Sequence, residues 1–98
     1  MNIIKLRERV QFGEQYLPQI LCAAPDAKVP MICLEPDQKI PVHPSGTGVF
    51  YVLEGKGIMF LDGEEIELSK GKVVFAPEGS ERGIRSIERL VAVAVHIS

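Results

Sequence analysis

The chain has 98 residues, 46% of them hydrophobic and 24% charged, with a formal net charge of −2 and a pI near 5.6. That is one domain's worth of chain, whose folding buries roughly two-thirds of its extended surface, and its slight acidity offers no attraction for nucleic acid. The longest purely apolar run, Leu90 to Val95, falls far short of the roughly 20 residues that span a bilayer, so no membrane partner is expected.

Residues 1–28 read as an N-terminal arm or edge strands and 29–97 as the main body of a single domain. In the arm, Ile3, Ile4, Leu6, Val10 and Phe12 fit neither a 3.6 nor a 2.0 period, and Gly13 and Pro18 interrupt any long helix. Lys5, Arg7, Glu8 and Arg9 break up any apolar leader, so a cytoplasmic location is expected. Cys22 and Cys33 are too few and too unpatterned for a disulfide framework or a zinc knuckle, and read as small buried hydrophobes.

From Lys28 to Glu35 the residues alternate as in a strand, with Met31 and Cys33 on one face and Ile32 and Leu34 on the other. Pro36 and Asp37 close it. The segment Pro36 to Gly57 then carries His43 in a loop stiffened by Pro41 and Pro44, which runs directly into the apolar strand Val49 to Leu53. Gly57 to Leu61, Asp62-Gly63 and Glu64 to Leu68 form a hairpin, since Asp-Gly supplies the positive φ angles of a type I′ turn. Ile66 and Leu68 should face inward while Glu65 and Glu67 face water. Val73 to Ala76 reads as a short buried strand stopped by Pro77, Ser80 to Gly83 as a loop, and Ile84 to Ile97 as mostly strand. In the last of these Leu90, Ala92, Ala94 and His96 share one face, and Val91, Val93, Val95 and Ile97 the other. Both faces are apolar, so both should be covered: one by the interior, the other by the N-terminal arm or a second subunit, which points to a homodimer. Short strands, regular turns and the lack of a long helical pattern give an all-β barrel.

Two blocks add a resemblance. Pro36 to His43 followed by Phe50 to Gly55, and then Gly71, Pro77, Glu78 and Gly79, are similar to the two motifs of the cupins, G-x5-H-x-H-x3-4-E-x6-G and G-x5-P-x-G-x2-H-x3-N. The similarity covers roughly Val29 to Val95. It implies a double-stranded β-helix, or jelly roll, and in many members a divalent metal held by three His and one Glu. Position by position the ligand set is incomplete. One register puts His43 at the first histidine with Ser45 at the second; the other puts His43 nearer the second, with Gly48 at the glutamate. Arg82 stands where the resemblance implies the third histidine. His43 is thus the one motif residue left to touch a metal, and His96, Cys33 or Glu81 would have to complete a displaced site.

The expected cofactor is therefore none, with a divalent metal at His43 as the lesser reading. Arg82 and His43, with Ser45 and Thr47 as nearby donors, suit a small acidic molecule, because a guanidinium binds carboxylate or phosphate through parallel hydrogen bonds. Arg82 pairing with Glu78 or Glu81, and His43 with a backbone carbonyl, is the bland alternative. Tyr51 is included among the candidate ligand contacts, because a histidine base and tyrosine acid serve some metal-free sugar epimerases of that superfamily; packing beside Val49 and Leu53 is its other reading. The sequence thus supports a small-molecule binder, with an enzyme or a filled-barrel interaction module as alternatives.

Overall fold

In the computed structural model, which describes residues 3–98, a single 3₁₀ turn at Leu6–Arg9 precedes nine strands. These are β1 (Gln19–Ala24), β2 (Ala27–Leu34), β3 (Lys39–Pro44), β4 (Thr47–Glu54), β5 (Lys56–Leu61), β6 (Glu64–Ser69), β7 (Val73–Ala76), β8 (Glu81–Ser86) and β9 (Leu90–Ile97). One sheet has the order β1-β2-β9-β4-β7 and the other β3-β8-β5-β6. Every pairing is antiparallel. The two sheets face one another as a jelly roll, the all-β fold class expected from the sequence.

Strand alternation builds the core between them. Ile32 and Leu34 of β2, Phe50 and Val52 of β4, and Leu90, Ala92 and Ala94 of β9 meet Met59, Leu68 and Ile84 of the opposite sheet. The β5–β6 hairpin turns through Asp62 (φ 47°) and Gly63 (φ 84°), the two positive φ angles of a type I′ turn. Leu68 is buried, Ile66 packs against the core, and Glu65 and Glu67 are exposed.

The outer face of the five-stranded sheet is only partly covered. Over β2 and β9, Met31, Cys33 and Val91 are buried with Leu6 and Phe12 of the arm against them. The arm is fixed there by Arg89, whose guanidinium lies 4.3 Å from the Phe12 ring centroid and donates to both Glu35 carboxylate oxygens at 2.7 and 3.0 Å. Over β4 and β7 the same face is open, with Val73 60% and Phe75 58% exposed.

Several expectations need correction here: the segment carrying His43, read as a loop, is strand β3, and Cys22, read as buried, is exposed. Val73–Ala76 is buried on one side only, Val74 and Ala76 pointing in, because β7 is an edge strand whose outer face is not covered by the described residues. Arg82 lies not in a loop but in the ladder of β8, paired with His43 of β3 and Leu61 of β5. A charged residue in a central strand position hides the strand from a reading based on apolar alternation.

Candidate functional site

A cavity of about 240 Å³ remains between the sheets at one end of the core. Ile32, Ile40, Phe50 and Ile84 form its apolar wall, Tyr16, Pro18 and Ile20 border it from the arm and β1, and Lys28, His43, Arg82 and His96 supply its polar groups. Two rows of paired residues bring those groups together. In the five-stranded sheet Lys28, His96, Gly48 and Ala76 are successive neighbours across β2, β9, β4 and β7. Facing them, His43, Arg82 and Leu61 are neighbours across β3, β8 and β5.

His43 reaches this end through a β-bulge. The β3–β8 register slips between Ile40, opposite Ile84, and His43, opposite Arg82. One extra residue there sets His43, rather than Val42, on the side of Ile40. Pro41 sits at the break, where the missing N–H costs no ladder bond, and its carbonyl lies 2.8 Å from His43 Nδ1. A carbonyl only accepts, so Nδ1 carries the hydrogen and Nε2 is left free at the cavity mouth.

Arg82 is 3% exposed. Its Nη1 donates to the Gly46 carbonyl at 2.7 Å, and its Nη2 to the Pro77 carbonyl at 3.0 Å and Ser80 Oγ at 2.8 Å. The guanidinium thereby ties the β3–β4 connection to the β7–β8 connection. Neither Glu78 nor Glu81 forms an ion pair with it, and its Nε has no partner. Burial lowers its pKa, with the Asp62 carboxylate acting in the opposite direction, but a guanidinium stays charged.

His96 Nε2 is likewise buried and without a partner, and its ring meets Phe50 edge-on at 5.6 Å. Burial, then the positive charges of Arg82 and Lys28 and the neighbouring His43, hold its pKa below the ordinary histidine value. Alternation grouped His96 with Leu90, Ala92 and Ala94, the face the structure turns inward, but only strand order sets it beside Lys28 and across from Arg82. Lys28 and Tyr16 were missed, because a lysine at a strand start and a tyrosine in an unpatterned arm carry no signal. Burial, then Cys33, raises the Tyr16 pKa, so it is a neutral phenol.

The remaining sequence candidates lie elsewhere. Tyr51 is on the outer face of β4, 44% exposed, in a depression bordered by Leu6, Val10 and Leu53. It cannot act with His43, since successive residues of β4 point to opposite sides of the sheet and only Gly48, Phe50 and Val52 face in. Ser45 and Thr47 do not line the cavity; the Ser45 carbonyl instead accepts from the Gly79 N–H at 2.8 Å. A larger depression of about 480 Å³, between Ile3, Leu21 and Ala24, has no charged or imidazole group on its wall among the described residues.

The donors present do not make a site for a divalent metal. Among the described residues no three His, Cys, Asp or Glu side chains converge. Cys33 faces the outer side of β2 and Glu81 is exposed. At Gly48 a Cβ would meet the Phe50 ring at 3.0 and 3.4 Å and Arg82 Nη1 at 3.7 Å, so the place the motif gives to a glutamate is filled. The cavity offers two imidazoles between two cations, and a dication is poorly served there.

Residues 30–97 match the family model described as Cupin domain. An uncharacterized protein of Methanocaldococcus jannaschii is 36% identical over 45 residues, a stretch that spans 46% of this chain and only 36% of that protein. The crystal structure of the TT1209 protein of Thermus thermophilus is similar with a TM-score of 0.89 at 25% identity, covering 99% of this chain and 98% of that one. A cupin from Desulfovibrio desulfuricans described as RmlC-like superposes with a TM-score of 0.85 at 26% identity, over 98% and 96% of the two chains. With the motif blocks, the nine-stranded jelly roll and a family match over more than two-thirds of its length, the chain belongs to the cupin family.

Proposed function

We propose that the chain binds a small organic anion in the cavity between its sheets, without a resident metal. One observation carries this reading: among the described residues the cavity has an apolar wall and four basic side chains, Lys28, His43, Arg82 and His96, but no acidic residue. A concave apolar site with a few convergent polar groups is the usual form of a ligand pocket, and cations of one sign in a low-dielectric wall favour an anion. Isothermal titration calorimetry against small organic acids tests it, comparing wild type with a Lys28→Ala/His43→Ala variant. Both residues are exposed at the mouth, so the variant should fold. At least one acid should bind the wild type, and the variant should bind it about tenfold more weakly, or about 1.4 kcal/mol. Failure of every acid to bind, or equal affinities, would overturn the proposal.

A second copy of the chain is the proposed partner. The open outer face of β4 and β7 carries Tyr51, Val73 and Phe75, with Ile97 at its end, and β7 is an unpaired edge. An apolar face beside a free edge suits a two-fold interface, in which one patch meets its own copy. No helix among the described residues is long and apolar enough to cross a membrane; with Cys22 and Cys33 both free thiols, a reducing compartment such as the cytoplasm is the proposed location.

A further inference from the structure

We propose that the ligand of this cavity is a monocarboxylate with a compact apolar body and that His96 takes up a proton as it binds. This rests on the anion-binding reading of the same site and adds ligand class and proton linkage to it.

The charge balance sets the class. Arg82 is 3% exposed, and its terminal nitrogens donate only to uncharged acceptors, the Gly46, Ala76 and Pro77 carbonyls and Ser80 Oγ. No carboxylate among the described residues forms an ion pair with it. A buried charge without a counterion is costly even when its hydrogen bonds are met, and one negative charge balances it. A second would meet either the apolar Ile32, Phe50 and Ile84, where desolvation opposes it, or Lys28 and His43, which are exposed at the mouth and already screened by solvent. Phosphate and sulfate need several donors around their oxygens, and both hydrogens of Arg82 Nη2 are already committed, so no two-pronged fork is left for them. Arg82 Nε and His96 Nε2, both buried and unpartnered, match the smaller demand of a carboxylate. An unmet buried polar atom is destabilising, and a carboxylate at this end supplies an acceptor for Nε–H and, once His96 is protonated, for Nε2–H. The 240 Å³ of space equals about eight water volumes and suits a body of roughly ten non-hydrogen atoms.

The proton follows from the same geometry. The groups facing His96 are Arg82 from β8, Lys28 from β2, His43 from β3 and the neutral Tyr16 phenol; β4 brings only Gly48 and Phe50. In the free protein burial and these cations depress its pKa, so the ring is neutral near pH 7. An anion beside it reverses the sign of the local field and raises the pKa. Between the free and bound values binding takes up a proton, so affinity must rise as pH falls, by at most about tenfold per pH unit for one proton.

Calorimetry with isovalerate, benzoate and phenylacetate, set against benzamide, phthalate and inorganic phosphate, tests both parts. At least one monocarboxylate should bind ten or more times tighter than the amide, the dicarboxylate or phosphate, by about 1.4 kcal/mol per tenfold. Its affinity should rise several-fold from pH 8 to pH 6, with an enthalpy that depends on buffer ionisation. The chain has two histidines, so proton NMR separates them: the resonance lost in His96→Gln should titrate at higher pH when the monocarboxylate is saturating. Preference for phosphate or phthalate, or pH-independent binding with the His96 titration unmoved, overturns this inference and leaves the anion reading standing. Absence of binding by every anion overturns the anion reading itself, and this inference with it.

Discussion

Arg82 has two roles that its sequence position does not separate. It lends the cavity its buried charge, and it joins two connections through Gly46, Pro77 and Ser80. Arg82→Ala should therefore cost about 3 kcal/mol of folding stability, since it strands buried acceptors and opens a void. Arg82→Lys should recover less than half of that, because one ammonium cannot span carbonyls on opposite sides. Urea unfolding of the three proteins measures both; a loss below about 1 kcal/mol for Arg82→Ala would show that the clamp is dispensable. For the same reason the mouth residues Lys28 and His43 are cleaner probes of ligand binding. The resemblance at the motif singles out position 82, but it cannot say what an arginine does there. That depends on which carbonyls of the β3–β4 and β7–β8 connections come within reach.

At the scale of the element, two glycines that look alike in sequence have different reasons for being there. Gly55, between β4 and β5, has φ +90°, and a Cβ on it would overlap the Arg89 carbonyl and Leu90 Cα. Gly63, in the β5–β6 hairpin, has φ +84°, with nothing within 4 Å of such a Cβ. Gly63→Ala should cost only the backbone term, about 1 kcal/mol. Gly55→Ala adds a clash with main chain that cannot turn aside, and should cost roughly 3–5 kcal/mol. Thermal or urea unfolding of the two variants distinguishes them, and equal losses would contradict the close approach at Gly55. The hairpin was legible because Asp62-Gly63 states its own φ requirement locally. The packing at Gly55 was not, since Arg89 lies more than thirty residues later in the chain.

For the whole molecule, the two apolar faces of β9 are satisfied in different ways. The inner face joins the core, while the outer face is covered by Leu6 and Phe12 over β2 and β9 and left bare toward β7. If a second copy covers the bare part, wild type should sediment as a dimer and Phe75→Lys as a monomer. Placing a lysine at the centre of an apolar interface should weaken association by about 100-fold or more, of the order of 3 kcal/mol. A monomeric wild type at high protein concentration would remove the proposal without touching the cavity.

The sequence alone determined the fold class, most strand positions and which residues share a face of several strands, because alternation and turn chemistry are local properties of a chain. It also marked position 82 and His43 through the motif blocks. It did not determine that Ser80 to Gly83 enters a strand, that the arm's apolar side chains cover one part of the outer face and not another, or that His96 and Lys28 meet Arg82. Those facts depend on strand order and register between segments far apart in the chain, and on one bulge in β3 that turns His43 inward. Alternation assigns a side chain to a face, but the neighbour it meets there is chosen by non-local pairing, and only the tertiary structure makes that choice.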